Sequence, residues 1–341
     1  MNPLRAWNQF WFGPISAKPL GIFRIVFGVV VLCNLGFLAF DMNYWLTDAG
    51  LLQGKEALEL AGPYRTSPLL YFQDPLSVRL FFAATAVIAS IYTVGWHTRI
   101  AGVALYLAML SIHHRNLLTN SGADALVMVM TFYMMLAPSG AAYSLDARRA
   151  RRRRGTDADA LIVPWAQRLI QLQLALIYFT TAMFKCNGGS WLNGTALHYV
   201  LLNTEVGRPF LSFLTSYPVL LNVMTYGVLF LEFALAFLLW FRPTRPWVIL
   251  AGVSLHTGIL FSVNIPIFGE MMTACYLTFL GPEEVQSMLR CINPLNWFGS
   301  NAKTESVEIP GRVDRPSSTP GPHWDEPAFD EEEILASQAW N

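Results

Sequence analysis

Eight runs of mostly apolar residues, at about 19–40, 77–95, 100–114, 123–140, 163–185, 218–241, 246–263 and 267–284, limit what this chain can become. Each approaches the roughly 20 residues that a helix needs to cross a bilayer. Inside hydrocarbon every backbone polar group needs a partner, and a helix supplies all of them from within its own segment. The expected fold is therefore all-α, a polytopic membrane bundle of about eight transmembrane helices. Composition agrees: with 54% hydrophobic and 13% charged residues over 341 positions, the chain is too apolar for a soluble domain and too long for a single anchor.

The charges are segregated although they sum to +0. Arg99, the run Arg148 to Arg154, and Arg242 with Arg245 fall in alternate connections, which the positive-inside rule makes cytoplasmic. Both termini are then cytoplasmic, as expected of a multi-pass protein of a bacterial inner membrane, and connections 41–76 and 186–217 lie outside. Those outer connections carry Tyr44, Trp45, Tyr64, Tyr71, Phe72, Trp191 and Tyr199, an aromatic density suited to the headgroup layer.

Residues 1–18, with Trp7, Phe10, Trp11 and Phe12, lack the basic start, short apolar core and cleavage site of a signal peptide and read as an interfacial segment. Residues 19–285 form the membrane domain. Residues 286–341, rich in Pro, Ser and acids and ending near Asp330 to Glu333, read as a mostly disordered cytoplasmic tail able to recruit a cytoplasmic partner.

An arginine run between two spans sets topology, so no nucleic acid is expected as a partner; the bilayer is. Cys33, Cys186, Cys275 and Cys291 are widely spaced, and adjacent His113 and His114 point to different helix faces, so no metal site is expected.

Ionisable residues inside apolar runs are where chemistry is sought first. Lys185 ends the fifth run, and an amine with little water around it gives up its proton more readily, which makes it a candidate base. The plainer reading is a snorkelling anchor with its ammonium in the headgroups. Arg24, about one turn inside the first run, must be paired, with Glu232 or with carbonyls near the cytoplasmic ends as partners. His256, in the middle of the seventh run, and Glu270, opening the eighth, are further candidates for catalysis, set against the plainer reading of His256 as a hydrogen-bonded packing residue.

Four stretches, taken in order, resemble the HTTM family, the membrane domain shared with vitamin K-dependent gamma-glutamyl carboxylases. They run from Gly21 through Arg24 to Gly28, from Arg115-Asn116 through Asp124 to Pro138, from Tyr178 through Lys185 to Gly194, and from His256 to Glu270. The resemblance implies that Lys185 is the counterpart of the lysine that deprotonates vitamin K hydroquinone, with reduced quinone as co-substrate and a dry pocket around it. The large lumenal region that holds the carboxylases' peptide substrate has no counterpart here, and Asn120-Ser121 stands where they carry Asn-His, so peptide carboxylation is not implied. Two classes of function fit: a quinol-deprotonating or quinol-oxidising membrane enzyme, or a non-catalytic lipid- or quinone-binding scaffold or transporter for a lipophilic small molecule.

Overall fold

The structure is a computed structural model that describes residues 2–62, 65–155, 159–205 and 207–292. Tyr64 and the acidic tail from Asp325 to Glu333 lie outside the described residues. The chain divides after Val285, within α15 (Pro282–Ile292), and every side chain discussed below lies in the unit Met1–Val285.

The helices are α1 (Pro3–Phe12), α2 (Lys18–Phe40), α3 (Met42–Leu46), α4 (Gly54–Ala61), α5 (Pro75–Val94), α6 (Thr98–Arg115), α7 (Gly122–Leu136), α8 (Leu145–Arg154), α9 (Trp165–Cys186), α10 (Gly189–Leu192), α11 (Ala196–Leu202), α12 (Pro218–Leu238), α13 (Arg245–Ser262), α14 (Phe268–Cys275) and α15 (Pro282–Ile292). A two-residue antiparallel ladder, β1 (Ile15–Ser16) with β2 (Leu161–Ile162), fastens the entry of α2 to the entry of α9.

Among the described residues, α2, α5, α9 and α12 are long and apolar enough to cross a membrane. Their apolar side chains face outward as well as inward: Phe184, Val219 and Phe230 are among the most exposed large residues. Such a surface suits lipid contact, and the chain is built as a multi-pass membrane protein. The other runs are shorter or more polar, and the expected eighth span is not one helix. Over 267–284 the chain makes only the eight-residue α14, a 3-10 turn at Tyr276–Phe279 and the start of α15. Ile267, which opens α14, sits in the left-handed region at φ 72°, where a β-branched residue is strained.

At the centre, α2 buries Leu20, Phe23, Phe27, Val31 and Leu35 at helical spacing against α5 and α14. Opposite, α9 packs along α12, and α12 along α13. Turn chemistry sets the helix starts. Asp74 caps α5 by accepting from Ser77 N at 2.9 Å, and Ser121 with Asp124 forms a reciprocal capping box on α7. Gly95 ends α5 at φ 78°, where a side chain would collide with Ser144 and Arg24.

Arg24 is fully buried, and of its two expected partners it takes the carbonyls. Its Nη1 donates to Ser139 O at 2.7 Å and Ala142 O at 3.2 Å, and its Nη2 to Tyr143 O at 2.5 Å. That clasp pins the turn after α7 to α2 and leaves Glu232 free for another partner.

Candidate functional site

On α9, Tyr178, Ala182 and Lys185 fall at i, i+4 and i+7, so they share one face of the helix. Along α12 that face meets Glu232. The Lys185 ammonium donates to Glu232 Oε1 and lies 4.7 Å from the centroid of the Trp191 ring, which α10 holds over it. The pair is not sealed: the Lys185 side chain keeps 22% of its exposure and that of Glu232 keeps 9%. Glu232 Oε2 has no hydrogen-bond partner, and the nearby Thr181 hydroxyl donates to Ile177 O at 2.9 Å instead.

Two turns below Lys185 on the same face, Tyr178 joins a second polar group. Its hydroxyl is 2.6 Å from His256 Nε2 on α13 and in hydrogen-bond contact with the Tyr276 hydroxyl on the 3-10 turn. All three side chains are buried. A chain of two phenols and an imidazole carries its protons in either direction: Tyr276 donates to Tyr178 and Tyr178 to Nε2, or the reverse with Nε2–H as first donor. His256 Nδ1 is buried without a partner. Gly252, one turn before His256, is what lets the Tyr276 hydroxyl approach, since a Cβ there would run into it.

The two groups share one face of α9, with Tyr178, which holds His256, two turns from Lys185. Lys185 and His256 are therefore brought to one region of the bundle. Glu270 is tied to it less directly. It stands in the first turn of α14, half-buried, with Oε2 lacking a partner, and its neighbour Gly269 packs against His256, where a Cβ would come within 3.6 Å of Nδ1. Neither a hydrogen bond nor an ion pair joins Glu270 to Lys185 or His256 among the described residues. Cys186 follows Lys185 but is remote in sequence from the other cysteines, and no group of three or more His, Cys, Asp or Glu side chains gathers among the described residues.

Sequence reasoning missed Tyr276 as a polar partner because it lay inside a run read as a continuous apolar span. It used Tyr178 only as the start of a motif. The signal that was present is the spacing Gly252–His256: a glycine one turn from an intramembrane histidine leaves a slot for a polar side chain from the next segment. His113 and His114 part as their adjacency requires. His113 Nδ1 lies 3.1 Å from Asn120 Oδ1 and 4.0 Å from Asp124 Oδ1, whereas His114 Nδ1 lies 3.2 Å from Thr66 O.

The uncharacterized protein YitO of Bacillus subtilis (strain 168) is 22% identical over 239 residues, covering 67% of this chain and 76% of YitO. No solved structure matches. The HTTM domain family matches residues 12–283, which takes in the whole of α2 to α14 together with Lys185, Glu232, His256 and Glu270, and the chain accordingly belongs to the HTTM family.

Proposed function

We propose that the protein is a membrane enzyme that deprotonates a quinol or another lipophilic weak acid, with Lys185 as the base. The observation that carries this reading is two buried polar groups on one face of α9, Lys185–Glu232 and Tyr276–Tyr178–His256, with unpartnered atoms at Glu232 Oε2 and His256 Nδ1 and a third at Glu270 Oε2 near His256. Buried polar atoms are normally satisfied, and three unsatisfied ones in one region suit a substrate that brings its own hydroxyls.

The Lys185–Glu232 pair gives the base its means. Transfer of one proton from the ammonium to the carboxylate would leave a neutral amine beside a neutral acid, the form in which the amine can act as a base. That amine takes the substrate proton, and the Tyr276–Tyr178–His256 chain, two turns along the same face of α9, offers hydroxyl and imidazole groups that can bind a second polar group of the substrate. Trp191 supplies an aromatic wall for a ring substrate. Reduced quinone of the vitamin K type is the co-substrate that fits this description. Peptide carboxylation is not part of the proposal.

The topology proposed with it has eight crossings and both termini in the cytoplasm of a bacterium, the membrane being the inner one. The eighth crossing is broken. It leaves α13 through the left-handed Ile267 and returns to the start of α9, where Gln167 and Gln171 each donate to Thr278 O at 2.6 Å. Irregular backbone at membrane depth is tolerated where it is buried in protein or lines a cavity, which supports a site at α14.

A second reading has one observation in its favour. The Lys185–Glu232 pair ties α9 to α12, and a helix-to-helix tie needs no chemistry. Under it the protein is a lipid- or quinone-binding scaffold or a transporter. Epoxide formation from reduced vitamin K or menaquinol, in membranes holding wild type or Lys185→Ala, separates the two, with carbon dioxide incorporation followed in parallel. Epoxide from wild type alone supports the enzyme. Silence from both well-folded proteins overturns quinol epoxidation and leaves the scaffold.

A further inference from the structure

The arginines of α8 do more than mark a side of the membrane. On a helix, residues three and four apart share a face, so Arg148 lines one side of α8 with Arg151 and Arg152, and Arg149 another with Arg153, while Arg154 borders the same cavity as that second pair. Each side borders its own cavity, and the two cavities differ in chemistry.

The cavity on the Arg149 side has a volume of about 390 Å³ and includes the Asp146 carboxylate in its wall. That carboxylate accepts from His97 N at 3.0 Å and from Thr98 N at 2.8 Å, but it is still an anion beside three arginines. Arg149 is also occupied, its guanidinium lying 5.9 Å from the centroid of the Trp96 ring. The cavity on the Arg148 side is larger, about 680 Å³, and among the described residues no acidic side chain lines it. There Arg148, Arg151 and Arg152 stand over Val94, Tyr143 and Leu145. Val94, at the end of α5, and Leu145 are both exposed apolar side chains.

Among the described residues the three guanidiniums make no ion pair, hydrogen bond or ring contact. Like charges at this spacing repel one another, and an anion bound between them relieves that repulsion. The wall is also shaped by strain. Tyr143 sits at φ 51°, held there by the Arg24 hydrogen bond to its carbonyl. Left-handed non-glycine residues persist where surrounding structure fixes them, and they gather at binding sites.

We infer that the cavity between α8 and the end of α5, lined by Arg148, Arg151 and Arg152, binds the phosphate of an anionic phospholipid. A free phosphate satisfies the arginines equally well. The apolar side of the cavity decides for the lipid: Val94 and Leu145 offer a surface for the first part of an acyl chain, which inorganic phosphate leaves uncovered. The inference concerns the opposite end of α5 from its Asp74 cap and does not rest on the proposed base chemistry.

The test titrates the purified full chain in detergent with dioleoylphosphatidylglycerol, dioleoylphosphatidylcholine and inorganic phosphate, reading bound copies by native mass spectrometry. The glycerol lipid is expected to bind saturably and about tenfold or more tighter than the choline lipid, and millimolar phosphate is expected not to displace it. An arginine at an anionic lipid surface is worth about fivefold in affinity, so the triple variant Arg148→Gln/Arg151→Gln/Arg152→Gln is expected to weaken binding about a hundredfold. The triple Arg149→Gln/Arg153→Gln/Arg154→Gln removes the same charge from the other face and is expected to weaken it less than about tenfold.

Equal loss in both triples shows diffuse attraction and overturns the site. Displacement by phosphate overturns the lipid in favour of a free anion. Thermal unfolding of each variant checks folding, and where the first triple fails to fold, equal wild-type affinity for the two lipids still overturns the proposal.

Discussion

Arg24 and Lys185 are both cations set among apolar helices, yet their partners differ in kind. Arg24 spends two nitrogens on three backbone carbonyls, whereas Lys185 spends its ammonium on one carboxylate whose second oxygen has no partner. Backbone carbonyls neither titrate nor exchange protons, so they fix a charge permanently. A side-chain carboxylate can take the proton back. The first arrangement suits a scaffold, and the second leaves room for chemistry.

The sharpest way to break this contrast is Arg24→Met. Three buried carbonyls lose their donor, at about 1 kcal/mol or more each, so a loss of about 3 kcal/mol or more is expected in thermal unfolding of the detergent-solubilised protein. Lys185→Met is expected to cost less, about 2 kcal/mol, because the site keeps some solvent and Glu232 can neutralise itself by protonation. Under the proposed base chemistry, turnover of a reduced quinone should vanish in Lys185→Met. The double variant Lys185→Met/Glu232→Leu replaces the pair with apolar groups and should recover most of the stability while staying inactive. A double variant as unstable as the single one would return Lys185 to a structural role.

Tyr178→Phe sharpens the same contrast on a smaller scale. It removes the hydroxyl that links Tyr276 to His256 and strands both, so about 1–2 kcal/mol is expected. Tyr276→Phe removes only the end of the chain and should cost less. If Tyr178→Phe slows turnover while Tyr276→Phe does not, it is the Tyr178–His256 contact that the reaction uses.

How much of this was legible beforehand follows the same division. The need to pair Arg24 and Glu232 was readable, because a charge inside an apolar run is costly wherever it falls. Which partner each would take was not, since the Ser139 to Tyr143 turn that receives Arg24 has no periodicity to read. Lys185 was placed at the edge of its span, and only the packing of α9 along α12 brings it to Glu232. The interruption of the last apolar run was not readable, because hydropathy does not register the change from α14 to a 3-10 turn at Tyr276–Phe279, and Tyr276 was hidden with it.

The smallest expected effect concerns the anion at the Arg24 end. Burial alone would raise the Asp146 carboxyl, but hydrogen bonds from Thr98 and His97 outweigh it and hold the group below its ordinary value of 3.8. A carboxylate whose folded value is lowered contributes stability that is full above the ordinary value and disappears as pH falls through the lowered one. Asp146→Ala is therefore expected to cost about 1 kcal/mol at neutral pH, as lost helix caps do, and nothing once the wild-type carboxyl is protonated. Unfolding measured from pH 7 down to pH 2 should bring the two curves together at the acid end. Parallel curves would mean that the backbone amides at the start of α6 do not hold this anion as the carbonyls hold Arg24, and the contrast between backbone-held and side-chain-held charge would fail at the end where it is clearest.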